Sequence, residues 1–295
     1  MTELSMVLDD ACFLEGSRWR DGRLWVSDCY TNRVMSVAED GTDARVEAIV
    51  PGQPSGRGAL PDGRLLAVSM RDQQIVRREF DGTLVTHADL RGVANSQLND
   101  MVVDPQGRCW VGCFGFDFAS GAPMDAAVLV RVDPDGHAEV AAEDVWFPNG
   151  AACDGRTLVV AETFVSRLTA FDVEADGSLS NRRQWARFGE PQSSLHLAEI
   201  LPLLDVTPDG LADPDAEGAI WLADAFHGRA LRVREGGEVL EEITLPEGQV
   251  YDVTLGGADR HTLFLATSLN GSVEAERDET RHLTLFSTRV DVPVA

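Results

Sequence analysis

Asp21-Gly22-Arg23-Leu24-Trp25-Val26 and Asp62-Gly63-Arg64-Leu65-Leu66-Ala67-Val68 carry one phrase, an Asp-Gly turn followed by a short apolar strand. It returns as Gln106-Gly107-Arg108-Cys109-Trp110-Val111, Asp154-Gly155-Arg156-Thr157-Leu158-Val159-Val160 and Glu217-Gly218-Ala219-Ile220-Trp221-Leu222-Ala223. A sixth copy, Asp259-Arg260-His261-Thr262-Leu263-Phe264-Leu265, has lost the glycine. From Gly22 through Gly63, Gly107, Gly155 and Gly218 to Arg260 the steps are 41, 44, 48, 63 and 42 residues. A four-stranded propeller blade needs roughly 40–45 residues. Apolar runs such as Arg33-Val34-Met35-Ser36-Val37 and Ala230-Leu231-Arg232-Val233 follow most copies, with further turns at Asp40-Gly41, Asp135-Gly136 and Gly236-Gly237. These are hairpin signals. The pattern predicts an all-β fold: a six-bladed β-propeller with four-stranded blades around a central channel. A β-sandwich fits the even spacing less well. The long fifth step predicts an insertion over residues 189–206 with a short helical turn within 194–200.

No linker interrupts the repeat, so residues 1–295 are read as a single domain, a length that an all-β chain can use as one unit. Composition is that of an ordinary globular protein, 44% hydrophobic and 25% charged. The net charge of −24 argues against nucleic acid, whose binding needs cationic side chains, and against anionic membrane surfaces. It favours a cation. All 25 basic residues are arginine, so Schiff-base chemistry through lysine is excluded. The five cysteines, Cys12, Cys29, Cys109, Cys113 and Cys153, form no C-x-x-C pair and read as buried free thiols. The N-terminus lacks a basic-plus-apolar signal region and no apolar stretch reaches membrane-spanning length. A reducing cytoplasm is the expected compartment, and a monomer or homodimer the expected state.

Four segments stand a few residues ahead of a repeat phrase, each in a different blade: Leu14-Glu15-Gly16-Ser17-Arg18-Trp19, Gln97-Leu98-Asn99-Asp100, Phe147-Pro148-Asn149-Gly150 and Thr207-Pro208-Asp209-Gly210. Equivalent places in different blades converge on one axis. Glu15, Asn99, Asn149 and Asp209 are all oxygen donors, a set suited to hard cations such as Ca²⁺, Mg²⁺ or Mn²⁺. Taken singly, Pro148-Asn149-Gly150 and Pro208-Asp209-Gly210 also read as ordinary β-turns.

These segments resemble the gluconolactonase/regucalcin (senescence marker protein) family of metal-dependent propeller lactonases. The landmarks are Glu15-Gly16 with Trp19, Leu98-Asn99-Asp100 before Val103-Asp104-Pro105-Gln106-Gly107-Arg108, Pro148-Asn149-Gly150, and Pro208-Asp209-Gly210 before Asp215-Ala216-Glu217-Gly218. The resemblance implies one divalent cation, calcium first with Mg, Mn or Zn as alternatives, held by Glu15, Asn149 and Asp209. It implies that Asp209 also acts as general base and that Asn99, with Gln97 and Asp100, contacts a small-molecule lactone or ester. Members that act on sugar lactones often carry Arg where this chain has Gln97, and the loop Phe114-Gly115-Phe116-Asp117-Phe118-Ala119-Ser120 is unusual. With Trp146 and Phe147 beside Asn149, a pocket less polar than a sugar site is expected.

The expected reaction is metal-assisted ring opening, with phosphotriester hydrolysis or a metal-dependent lyase or isomerase reaction as alternatives and a non-catalytic binding propeller as the rival from another class. No G-x-S-x-G elbow and no phosphate-binding glycine motif occurs. His196 and His227 read as surface residues or contacts at the cavity mouth. The insertion 189–206, rich in leucine and next to Asp209, is expected to be a lid or rim that sets specificity, or else a dimer contact.

Overall fold

The computed structural model describes residues 3–269 and 283–295; Met1 and Thr2, at the start of the N-terminal segment read above, lie outside them. Six antiparallel four-stranded sheets follow one another in the chain. The innermost strands are Leu14–Arg20, Pro54–Ala59, Leu98–Val103, Pro148–Cys153, Pro208–Leu211 and Gln249–Gly256 in blades one to six. Each repeat phrase supplies the turn and the second strand of its blade, from Arg23–Asp28 in blade one to Thr262–Ser268 in blade six. At the marker position Gly22, Gly63, Gly107, Gly155 and Gly218 all take positive φ, and Arg260 holds φ 67° in the sixth copy. The turn geometry therefore outlasts the loss of glycine, at a conformational cost that the other five copies avoid.

Second strands are buried on both faces. Their aromatic position fills the space between blades: Trp110, Trp221 and Phe264 are fully buried, and Phe264 stacks on Trp19 with ring centroids 5.5 Å apart. Outer strands such as Arg45–Ile49 are largely exposed. The ring closes through the N-terminus: Ser5–Ala11 pairs with Leu283–Arg289 as the outermost strand of blade six. Among the described residues no helix is long and apolar enough to cross a membrane.

The insertion contains a helical turn at Leu197–Ile200 and a 3₁₀ turn at Leu201–Leu203, as its sequence leads one to expect. No residue of 189–206 lines the central cavity. Ile200 instead packs on Phe116, Met124, Phe147 and Phe164, and the Leu195 carbonyl accepts the Met124 N–H at 2.7 Å. The segment braces the 114–126 loop, and that loop faces the cavity.

Candidate active site

Each innermost strand has a register shift at its entry, between Glu15 and Arg18, Leu98 and Met101, Pro148 and Ala151, and Pro208 and Leu211, with counterparts in blades two and six. A bulge re-aims side chains. It presents Glu15, Ser55, Asn99, Asn149, Asp209 and Tyr251, one from each blade, to a single cavity of about 740 Å³. The Pro-Asn-Gly and Pro-Asp-Gly segments are thus inner strands rather than turns. Glu15, Ser55, Asn149 and Asp209 are each followed by a glycine, which allows close approach: a Cβ on Gly150 would lie 2.5 Å from the Asp209 carbonyl oxygen and 2.5 Å from the Leu211 nitrogen.

Gln97, Asn99, Asn149, Asp209 and Glu15 all line this cavity; Asp100 does not. Its carboxylate accepts its neighbour Met101 N–H at 2.8 Å and lies 3.9 Å from Arg18. It belongs to a deeper axial layer with Asp252, which accepts the Ser17 N–H, because consecutive strand residues point apart. His227 is bonded to Asp224 at 2.7 Å, and neither it nor His196 lines the cavity. Trp146 stays outside as well, its indole N–H donating to Asp144 at 2.9 Å, whereas Phe147 enters with φ 48°. Left-handed backbone at a bulky residue is strained and is characteristic of functional sites.

The Asn149 amide donates to the Thr163 hydroxyl at 3.3 Å, which donates in turn to the Pro208 carbonyl at 2.8 Å. The Asn99 amide donates to the Pro148 carbonyl at 3.1 Å. Both side chains are thereby fixed with the amide oxygen as the remaining ligand atom. Burial pushes the Asp209 carboxyl well above the usual carboxylate range, and Asp252 and Asp100 push it further. Burial, Asp209, Asp252 and Asp100 do the same to Glu15. Asp209 Oδ1 is buried without a hydrogen-bond partner. Among the described residues no three His, Cys, Asp or Glu side chains gather as a ligand group. The donor set here is two carboxylates and an amide. A buried orphan oxygen beside a second carboxylate fits a hard cation held by oxygen ligands. Cys29 also lines the cavity, but burial and then Glu15 push its thiol well up, which leaves it a poor nucleophile. All five cysteines are free and buried.

Three buried acids that sequence reading passed over anchor these donors. The Cys12 and Phe13 N–H groups donate to Asp28 at 3.1 Å, the Trp146 N–H to Glu162 at 2.7 Å, and the Thr207 N–H to Asp224 at 2.8 Å. Each contact falls two or three residues ahead of Glu15, Asn149 or Asp209. Each acid is fully buried at the end of a second strand and paired with an arginine: Asp28 with Arg33 at 2.7 Å, Glu162 with Arg167 at 2.7 Å, Asp224 with Arg229 at 2.8 Å. The signal was present, since in all three blades the acid precedes its arginine by five residues.

The axial cavity of this closed propeller gathers oxygen donors from several blades, among them two carboxylates and an amide. Residues 13–269 match the family described as SMP-30/Gluconolactonase/LRE-like region, and the chain belongs to that family. It is 33% identical to 6-deoxy-6-sulfogluconolactonase from Pseudomonas putida over 68% of this chain, and the match spans 65% of that relative's length. It is 29% identical to a pentonolactonase from Haloferax volcanii, covering 90% of this chain and 85% of the relative. Among solved structures, a regucalcin described as a calcium-binding protein from Agrobacterium tumefaciens superposes with a TM-score of 0.77 at 20% identity, covering 100% of this chain and 96% of that one. That likeness concerns the fold.

Proposed function

We propose that this protein hydrolyses a lactone or related ester using one divalent cation held by Glu15, Asn149 and Asp209. The observation that carries this reading is the orphaned Asp209 Oδ1 beside Glu15, whose proton affinity burial and then the Asp209 carboxyl raise. Two relatives named as lactonases support the bond type. A bound cation would act as Lewis acid on the ester carbonyl. Asp209 takes a proton from the attacking water, and that proton passes to the ring oxygen as the acyl C–O bond breaks, giving the hydroxy acid. A carboxylate that binds a cation loses basicity. Burial and the like charges of Asp252 and Asp100 act in the opposite direction and keep Asp209 able to accept a proton. Asn99 and Gln97 orient the ester from the adjoining blade; Asp100 acts from beneath, through the field at the site.

Calcium is the first ion to test, with magnesium, manganese and zinc beside it. The five free buried thiols favour a reducing compartment, the cytoplasm. The test is hydrolysis of a panel of lactones, aryl esters and phosphotriesters, with chelator and with each ion restored. Chelator-sensitive opening of lactones alone is expected. Hydrolysis unaffected by chelator, in a protein shown to be metal-free, overturns the reading.

A further inference from the structure

Seven of the chain's 12 phenylalanines and both of its tyrosines line the cavity above the ligand ring. They form two walls. On one, Phe147 and Phe164 lie 4.5 Å apart, Phe114 stacks on Phe147 at 4.9 Å, and Phe118 stacks on Phe164 at 5.9 Å. Facing it, Phe13 lies 4.7 Å from Tyr251 and 5.4 Å from Tyr30. Several polar side chains between the walls are already committed to the protein. Asn95 donates to the Ala126 carbonyl at 2.9 Å, Ser96 accepts the Gly115 N–H at 2.6 Å, and Thr163 donates to the Pro208 carbonyl at 2.8 Å. Gln53 and Gln97 remain as amides in the cavity, and the charged Arg71 and Asp117 sit exposed at its rim. A ligand site takes its specificity from a few convergent polar groups within apolar walls. Here those groups sit on the floor, where an ester carbonyl would lie, and the body of the ligand meets rings.

We infer that the substrate is an uncharged lactone or ester with a flat apolar or aromatic body rather than a polyhydroxylated sugar lactone. A polyol placed against the phenylalanine wall would lose water from its hydroxyls without finding partners there, which is costly. An aryl group slots between rings in offset or edge-on contact. The cavity's volume is ample for a bicyclic ligand. The inference rests on the hydrolase reading above, so its test must be able to separate the two.

Three six-membered lactones are compared with the calcium-loaded protein: δ-valerolactone, its 5-phenyl derivative, and D-glucono-1,5-lactone. The first two share an alkoxide leaving group, so their ratio reports recognition of the body. Burial of the phenyl ring should raise kcat/KM over the parent by on the order of 30–100-fold, with the sugar lactone the poorest of the three. Phe118→Ala should lower the phenyl-to-parent ratio at least tenfold (an order-of-magnitude expectation from the lost ring contact). Phe118→Leu, which keeps an apolar side chain in the loop, should give an intermediate ratio and guards against loss of fold. A preference for the sugar lactone, or a ratio that Phe118→Ala leaves in place, overturns the inference while the hydrolase reading stands. Should no lactone be hydrolysed with any ion, the unreactive ether 2-phenyltetrahydropyran decides by ligand-observed NMR. Binding that weakens in Phe118→Ala upholds the aromatic site and removes the hydrolase reading; no binding overturns both.

Discussion

Replacing Asp209 with asparagine should stabilise the metal-free protein and disable the metal-loaded one. Asparagine keeps the shape of the side chain and removes its charge. In the metal-free protein Asp209 Oδ1 is buried without a partner, and three other carboxylates act on the same space: Glu15, Asp100 and Asp252. A buried acceptor left unsatisfied costs about 1–3 kcal/mol. The replacing amide can instead donate toward Glu15. With roughly 2–4 °C of Tm per kcal/mol for chains of this order, the gain in chelator should be about 2–12 °C. Calcium at a hundred times its Kd stabilises the wild type by about 2.7 kcal/mol, and the variant, with one charged ligand gone, should gain almost nothing. The order of stability therefore reverses between chelator and calcium. Thermal melts in both conditions, with calorimetric titration of calcium and turnover of the best lactone, measure each part. Turnover should fall by on the order of 10³-fold or more. If Asp209→Asn melts below wild type in chelator and is stabilised equally by calcium, Asp209 is not a ligand and the proposed mechanism fails.

Three further outcomes follow from the same geometry. Burial first, and Asp252 next, raise the Asp100 carboxyl from 3.8 to about 6, and Glu15 and Asp209 are pushed up as well. A raised carboxyl keeps its proton in the folded state after the unfolded chain has lost it, so stability in chelator should fall as pH rises through about 6. A Tm in chelator that is flat or rising between pH 5 and 8 (a window chosen roughly around that shift) contradicts this, and calcium should restore most of the loss at the upper end. Asp224→Asn should cost about 3–5 kcal/mol in urea unfolding, because it leaves Arg229 without its buried partner, and should also weaken calcium binding although Asp224 is not a ligand. Asp172→Asn, at an exposed pair with Arg183, should shift stability by less than about 1 kcal/mol. Ile200→Ala should cost about 2–4 kcal/mol and raise KM for bulky lactones by loosening the aromatic loop it braces, with calcium affinity retained.

The six repeat phrases were legible because each encodes a local device, a left-handed turn followed by a doubly buried strand, and Arg260 shows the device persisting where its glycine is gone. Ring closure was not legible. Ser5–Ala11 pairs with a strand near the opposite end of the chain, and no local pattern records so distant a partner. The donors Glu15, Asn99, Asn149 and Asp209 were found because an oxygen donor before each phrase breaks an otherwise apolar pattern. Ser55 and Tyr251 occupy the same place in blades two and six, yet a serine and a tyrosine raise no such alarm. Asp100 was grouped with Asn99 as a substrate contact because the two share one motif of the family resemblance, and it does not line the cavity. Adjacency misleads in a strand, since the residue next to a donor points away from it. There Asp100 and Asp252 add negative charge below the cavity-lining donors, and Arg18 only partly offsets the upward push on each carboxyl.

That deeper layer bears on why the fold tolerates so unfavourable a centre. Carboxylates crowded on an axis would drive blades apart unless the strand entries were held from elsewhere. Asp28, Glu162 and Asp224 hold those entries, each locked by its own arginine, in the three blades that carry the proposed ligands. The equivalent second-strand ends in blades two, three and six are Ser69, Cys113 and Ser268, none of them acidic. The anchors therefore follow the three proposed metal ligands rather than the repeat, since blade three, which carries Asn99, has none. Bracing against charge repulsion alone would favour blades three and six, which carry Asp100 and Asp252, over blade four, which carries the neutral Asn149; bracing that would hold three proposed ligand oxygens at fixed separations fits the observed distribution.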